Sequence, residues 1–285
     1  MKRIAFFLMA AVLVACQPEA AKTTQETQRG LIADKAMVVS AHPIASEVGK
    51  AIMEKGGNAV DAAIGVQLAL AVVYPGAGNI GGGGFMITRM ADGTTAALDY
   101  REKAPLSGGR NMYIGENGEV IPQASLRGHL AAGVPGSVAG FVRAHEKFGS
   151  LSWAALVQPA IDLAANGWAL TEKEANKLNG NREAFIKYNT VAPDFFLTAE
   201  DGKWSAGDTV SIPELARTLE RIRDNGRDGF YKGETADLIV EEMKRGGGII
   251  SHEDLEHFIR TYGKAKMNTP FSTIWDLLEY VESYN

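Results

Sequence analysis

The sequence predicts an α+β protein, and three features carry that expectation. Near the front, two runs of strand character, Phe85–Met90 and Thr94–Tyr100, flank Ala91-Asp92-Gly93, where the Asp-Gly pair supplies hairpin turn chemistry. From Pro135 onward the apolar periodicity is helical almost throughout. Strands followed by a long series of helices point to segregated layers and away from the alternation of a βαβ fold.

In chain order, Met37–Ala41 (MVVSA) reads as a short buried strand that stops at His42-Pro43, because proline removes a ladder donor. Ala45–Lys55 follows as a helix with Val48, Ile52 and Met53 on one face, halted by Gly56-Gly57. Asn58 is placed to cap the next helix, which runs to about Val73 and is apolar nearly all round, so it is expected to be buried. Pro75 ends it. After the hairpin, helices are expected over Val138–Lys147, Trp153–Asn166 (stopped by Gly167) and Thr171–Leu178, where Thr171 and Glu174 have capping-box spacing. Further helices fit Ser211–Asn225, Glu234–Lys244 and Ser251–Phe258, the last opened by Ser251 and Asp254.

The 285 residues are 46% hydrophobic and 22% charged, with 29 Lys and Arg against 34 Asp and Glu for a net charge of -5. That excludes a disordered or collagen-like chain. No clustered basic run is present, so no nucleic-acid partner is expected. There is one cysteine, Cys16, which leaves no intramolecular disulfide. Lys2 and Arg3 form a short positive start, and Ile4–Val14 is an apolar run too short to cross a bilayer, as in an export signal. Leu13-Val14-Ala15-Cys16 resembles the bacterial lipobox, in which the cysteine becomes the lipidated first residue; a plain secretory signal is the alternative. The expected organisation is a signal over 1–15, a polar tether over 16–30, a folded body over 31–258 and a divergent helical tail over 259–285. The location it implies is the bacterial cell envelope, with the membrane reached through a lipid on Cys16.

Several motifs compete for a functional role. Gly76-x-Gly78-x-x-Gly81 matches a dinucleotide fingerprint by spacing, but that fingerprint needs a strand before it and a helix after it, and here the order is reversed. Gly81–Gly84 is four glycines in a row, suited either to a tight helix-to-strand connection or to close approach of a ligand. The five histidines show no zinc spacing, no metal or cofactor is expected, and His252 and His257 fit a solvated helix surface. Ser137 reads as a helix cap, since no GxSxG elbow surrounds it. Arg101, at the end of the second hairpin strand, presents a planar fork able to hold a carboxylate through two parallel hydrogen bonds. On the residues alone, pairing of Arg101 with Asp99 or Glu102 is the simpler outcome.

The segments Gly56–Val73 (GGNAVDAAIGVQLALAVV), Pro75–Met86 (PGAGNIGGGGFM) and Asp99–Pro105 (DYREKAP) together resemble the large-subunit region of gamma-glutamyltranspeptidases, also called glutathione hydrolases. His129–Gly140 (HLAAGVPGSVAG), Gly229–Gly233 (GFYKG) and Gly246–Leu255 (GGGIISHEDL) extend the likeness in order to about Phe258. The resemblance implies an N-terminal nucleophile hydrolase-like αββα sandwich, here with only its large-subunit part. It also implies cleavage of γ-glutamyl amides such as glutathione, with transfer of the glutamyl group to water or an amine. The family's nucleophile is the N-terminal Thr of a separate small subunit, and Arg101 matches the arginine that grips the substrate α-carboxylate. No segment here matches the small subunit's Thr-Thr-His-x-Ser-Val-Val-Asp pattern; Thr94-Thr95 and Thr23-Thr24 lack the following residues. The chain alone is therefore expected to carry no catalytic residue and to be inactive, and the end of the sequence is open to reading as a frameshift, a fragment boundary or a genuine helix. Two other functions stand beside this one: a non-catalytic envelope lipoprotein that binds γ-glutamyl compounds, and an acylase of the same superfamily, which the Arg101 segment disfavours.

Overall fold

The computed structural model describes Gly30 and residues 32–188 and 202–262. The expected signal, Cys16, the tether before Gly30 and the tail beyond residue 262 lie outside the described residues. The chain divides into two units, Met1–Met37 and Val38–Asn285, and every element below belongs to the second.

Helix α1, Pro43–Glu54, begins two residues before the predicted start. Proline at its first position costs nothing, because that N–H would be unpaired in any helix. The His42 imidazole caps it: Nδ1 accepts the Ile44 N–H at 3.2 Å, while Nε2 meets Glu174 Oε1 at 2.7 Å. The strand expected over Met37–Ala41 is corrected by this arrangement. Residues 36–40 are irregular, and among the described residues no strand pairs with them. His42-Pro43 is a helix start and not the strand stop expected from the proline. Val38 packs on the core while Val39 stays 82% exposed, so the alternation that mimics a strand survives without a ladder.

Helix α2, Ala59–Val73, is the centre of the unit, with 12 of its 15 residues buried. Its capping box is complete: Asn58 Oδ1 accepts from Val60 N and Asp61 N, and Asp61 Oδ2 accepts from Asn58 N at 2.9 Å. Asp61 is fully buried and also takes the N–H and hydroxyl of Ser150, which ties this helix start to a distant loop. A side chain at Gly65 would collide with Ile52, so the glycine lets α1 lie close against α2.

The predicted hairpin forms as β1, Phe85–Arg89, and β2, Thr95–Asp99, in antiparallel register from Phe85 opposite Asp99 to Arg89 opposite Thr95. Its inner face turns Ala96 and Leu98 into the core, and its outer face leaves Phe85 and Ile87 exposed. Helices α3, Ser137–Phe148, and α4, Trp153–Asn166, follow. Gly167, at φ +83°, stops α4 as expected and turns the chain into β3, Trp168–Ala169. Helix α5 spans Glu172–Tyr188, well past the predicted end at Leu178, and the Thr171–Glu174 box is formed. β3 pairs antiparallel with β4, Thr209–Val210.

The remaining helices are α6, Pro213–Asn225; a single turn α7, Asp228–Tyr231; α8, Gly233–Gly246; and α9, His252–Tyr262. α4 lies between α2 and α6, anchored by the Trp153 indole, which donates to Ile222 O at 2.9 Å. The described residues thus make an α+β fold in which helices dominate and the one substantial sheet is the hairpin. His252 and His257 are exposed on α9, as predicted. Among the described residues no helix is long and apolar enough to cross a membrane.

Candidate functional site

The residues after β2 are held more firmly than a surface loop requires. Tyr100 donates its N–H to Gly84 O at 2.9 Å, and Lys103 exchanges two backbone hydrogen bonds with Val134, at 3.3 and 2.7 Å. Gly82 O accepts both the Gly136 N–H (2.7 Å) and the Ser137 N–H (3.0 Å). Tyr100–Lys103 is therefore stitched between the four-glycine run on one side and the loop entering α3 on the other. A Cβ at Gly83 would lie 2.6 Å from Tyr100 O and 2.7 Å from Arg101 Cα, and one at Gly136 would collide with Tyr100 O. Within the glycine run it is thus Gly83 that permits close approach to the chain's own backbone, while a Cβ at Gly81 would meet nothing within 4 Å. The Gly76-x-Gly78-x-x-Gly81 spacing belongs to the same turn, where a Cβ at Gly78 would collide with Leu70 O at the end of α2.

Tyr100 plugs the middle of this arrangement. It is 6% exposed, its ring stands edge-on to Phe141 with centroids 5.8 Å apart, and burial raises its hydroxyl pKa. Gly136 and Gly140, one turn apart at the start of α3, present bare backbone to it. Gly136 is the N-cap of α3 and Ser137 its first residue, with no side-chain capping bond. The cap expected from Ser137 is therefore corrected: Ser137 already lies inside the helix, and the Ala139 N–H that its hydroxyl would serve goes to the Tyr231 hydroxyl at 3.4 Å.

Arg101 shares none of this burial. Its backbone N–H goes to Asp99 Oδ1 at 2.9 Å, so Asp99 is spent on the main chain. Its guanidinium is 62% exposed, with Nε 3.9 Å from Glu102 Oε2 and Cζ 5.9 Å from the centroid of the Phe85 ring. Exposed pairs of that length contribute little, about 0–1 kcal/mol. The result is a fixed backbone carrying a head group that is free to engage a carboxylate.

Two buried groups support the site through contacts that the sequence does not announce. Tyr231 donates its hydroxyl to Pro135 O at 2.8 Å, receives the Ala139 N–H at 3.4 Å, and stacks on Phe258 at 5.7 Å. Asp254 accepts the Leu106 N–H at 2.5 Å as well as the Ser251 N–H and hydroxyl, so the start of α9 holds the segment just after Pro105. The capping box at Ser251 and Asp254 was legible in sequence, but its reach to Leu106 was not. Among the described residues no group of three or more His, Cys, Asp or Glu is placed to hold a metal ion.

The sequence profile described as gamma-glutamyltranspeptidase matches residues 45–277. The glutathione hydrolase proenzyme of Pseudomonas sp. (strain A14) is 47% identical over 226 residues, covering 79% of this chain and 39% of that protein. The proenzyme of Escherichia coli (strain K12) is 42% identical over 241 residues, covering 84% of this chain and 40% of its own length. The chain therefore spans about two fifths of the curated relatives it matches. Among solved structures, the gamma-glutamyltranspeptidase of Helicobacter pylori superposes with a TM-score of 0.76 at 44% identity, over 80% of this chain and 65% of that one.

Proposed function

Because the chain belongs to the gamma-glutamyltranspeptidase family, we propose that it forms the large-subunit part of an enzyme that cleaves γ-glutamyl amides such as glutathione, with Arg101 gripping the glutamyl α-carboxylate. The observation that carries this reading is the contrast at Arg101 between a backbone locked by glycines and a guanidinium that is 62% exposed. A planar fork on a rigid base binds a carboxylate through two bonds at small entropic cost.

The nucleophile comes from a small subunit, since no segment here carries the expected Thr-Thr-His-x-Ser-Val-Val-Asp pattern. That subunit's N-terminal Thr would attack the γ-carbonyl, with its own α-amino group as base. The outer hairpin face, with Phe85 39% and Ile87 53% exposed, suits coverage by the remainder of a sandwich. Cys16 serves as the lipid attachment point and places the protein in the bacterial envelope. In this reading the isolated chain is without turnover.

The test is to supply a family small subunit together with this chain and assay a γ-glutamyl anilide. Turnover is expected only in the mixture. Arg101→Ala is expected to raise KM by tenfold or more, from loss of charge-assisted bonds of about 1.5–3 kcal/mol each. An unchanged KM removes the clamp assignment; no turnover in any assembly removes the enzyme reading.

A further inference from the structure

Resting on the reading of Arg101 as the glutamyl-carboxylate clamp, we propose that Asp99 is the positioning residue of that clamp: its side chain sets the backbone of Arg101 and so aims the guanidinium, without touching the substrate.

The hairpin ladder stops short of Arg101. β2 ends at Asp99, opposite Phe85, and the Tyr100 N–H makes one further bond, to Gly84 O at 2.9 Å. Downstream, the chain is tied again where Lys103 exchanges its two bonds with Val134. Arg101 lies between these anchors, and its own N–H goes to Asp99 Oδ1 at 2.9 Å, two residues back. In such a turn a carboxylate oxygen stands in for the carbonyl that a ladder would have offered. Water can also meet an exposed N–H, but water leaves the peptide free to rotate. An acceptor fixed to the strand end does not.

Two further contacts restrict the same residue from other sides. Bare Gly83 lies against Arg101 Cα, where a Cβ would come within 2.7 Å. Arg101 Cζ lies 5.9 Å from the centroid of the Phe85 ring, within the range in which an aromatic ring attracts a cation. Phe85 is the cross-strand partner of Asp99, so one paired position holds both the peptide and the head group of the clamp.

The consequence falls on binding. A clamp already aimed needs little further ordering around a carboxylate, whereas a released one must order a long side chain and its peptide, which weakens binding about three- to tenfold. The γ-carbonyl reacts at the other end of the glutamyl group, so turnover of bound substrate is not altered.

KM and kcat of a γ-glutamyl anilide are measured in the mixture of the full chain with a family small subunit. Asp99→Ala is expected to raise KM about three- to tenfold with kcat held within about twofold. Asp99→Asn, which keeps the acceptor and drops the charge, is expected to restore KM. In the Arg101→Ala background Asp99→Ala should add nothing, because no guanidinium is left to aim; a general loosening of the hairpin would add its full effect in both backgrounds. In the full chain alone, the Arg101 N–H is expected to exchange with solvent about threefold faster or more in Asp99→Ala. Unchanged KM or unchanged exchange in Asp99→Ala, no rescue by Asp99→Asn, or additive losses with Arg101→Ala overturns the assignment and leaves Arg101 as the clamp. No turnover in the parent mixture, or an unchanged KM in Arg101→Ala, is the separate failure of the proposed function and removes the assignment with it.

Discussion

The ring of Tyr100 lies directly against the Cα of Gly140, and a Cβ on that glycine would come within 2.6 Å of Tyr100 Cβ and collide with Cγ. Both residues are in the core, so neither can yield without moving β2 away from α3. Gly140→Ala is therefore expected to destabilise by about 1–3 kcal/mol, the usual cost of overpacking. The gain in intrinsic helix propensity, about 1 kcal/mol, is too small to offset a clash of that kind. Urea unfolding checks it; a variant as stable as the parent would show that the two elements are not pressed together.

Asp61 offers a different kind of test, because one buried carboxylate serves two elements at once. Asp61→Ala leaves the Asn58 N–H and the Ser150 N–H and hydroxyl without their acceptor. Hydrogen bonds to a charged group contribute roughly 1.5–3 kcal/mol, and the donors left behind add to the loss. A cost of about 3 kcal/mol or more is expected in the same measurement. A loss under about 1 kcal/mol, the ordinary value of a surface cap, would show that Asp61 caps α2 and does nothing further.

Glu174 predicts a pH dependence. Burial acts to raise its pKa, but the Thr171 hydroxyl and N–H and the His42 ring together outweigh it, so the folded carboxyl titrates below its ordinary 4.5. A depressed carboxylate stabilises the fold in full above the unfolded value, and that stability is lost as the pH falls through the folded value, because the unfolded chain takes up the proton first. Glu174→Gln should flatten the stability profile between about pH 5 and 3. An unaltered slope in the variant would remove Glu174 from the acid response.

Tyr231 works at the other end of the scale. Burial pushes its hydroxyl far above the ordinary 10.0. Its contribution is complete below pH 10 and declines above it, where the unfolded chain ionises first. In absorbance at alkaline pH, one tyrosine is expected to ionise only together with unfolding. Tyr231→Phe removes that component and costs about 1 kcal/mol through the lost bond to Pro135.

What the sequence conveyed was whatever is written locally. The Asn58 cap, the stop at Gly167 and the Asp92-Gly93 turn each depend on a few neighbouring residues, and each was found within a residue or two. His42-Pro43 is ambiguous in sequence because proline ends a strand and begins a helix equally well, and the imidazole cap at Ile44 has no sequence signature. Arg101 is singled out by resemblance alone, while the long-range contacts of Tyr100, Tyr231 and Asp254 have no local signature. Their partners are far away in the chain: Gly140 for the first, Pro135 for the second and Leu106 for the third. The spacing of Gly136 and Gly140 is a sequence signal of its own, since two glycines four residues apart open one helix face to close packing.

The two amides received by the carbonyl of Gly82 have a bearing on the order in which the chain assembles. α3 possesses no start marker of its own, for neither Gly136 nor Ser137 contributes a side-chain cap. During synthesis the glycine run leaves the ribosome well before α3, so the stop that fixes the first turn of the helix is already waiting when the helix arrives. A peptide cut to α3 alone would lack it and fray from the front. Slow amide exchange at Gly136 and Ser137 would then report on the hairpin's docking, and α3 would gain its defined beginning in the same event that closes the loop beneath Arg101.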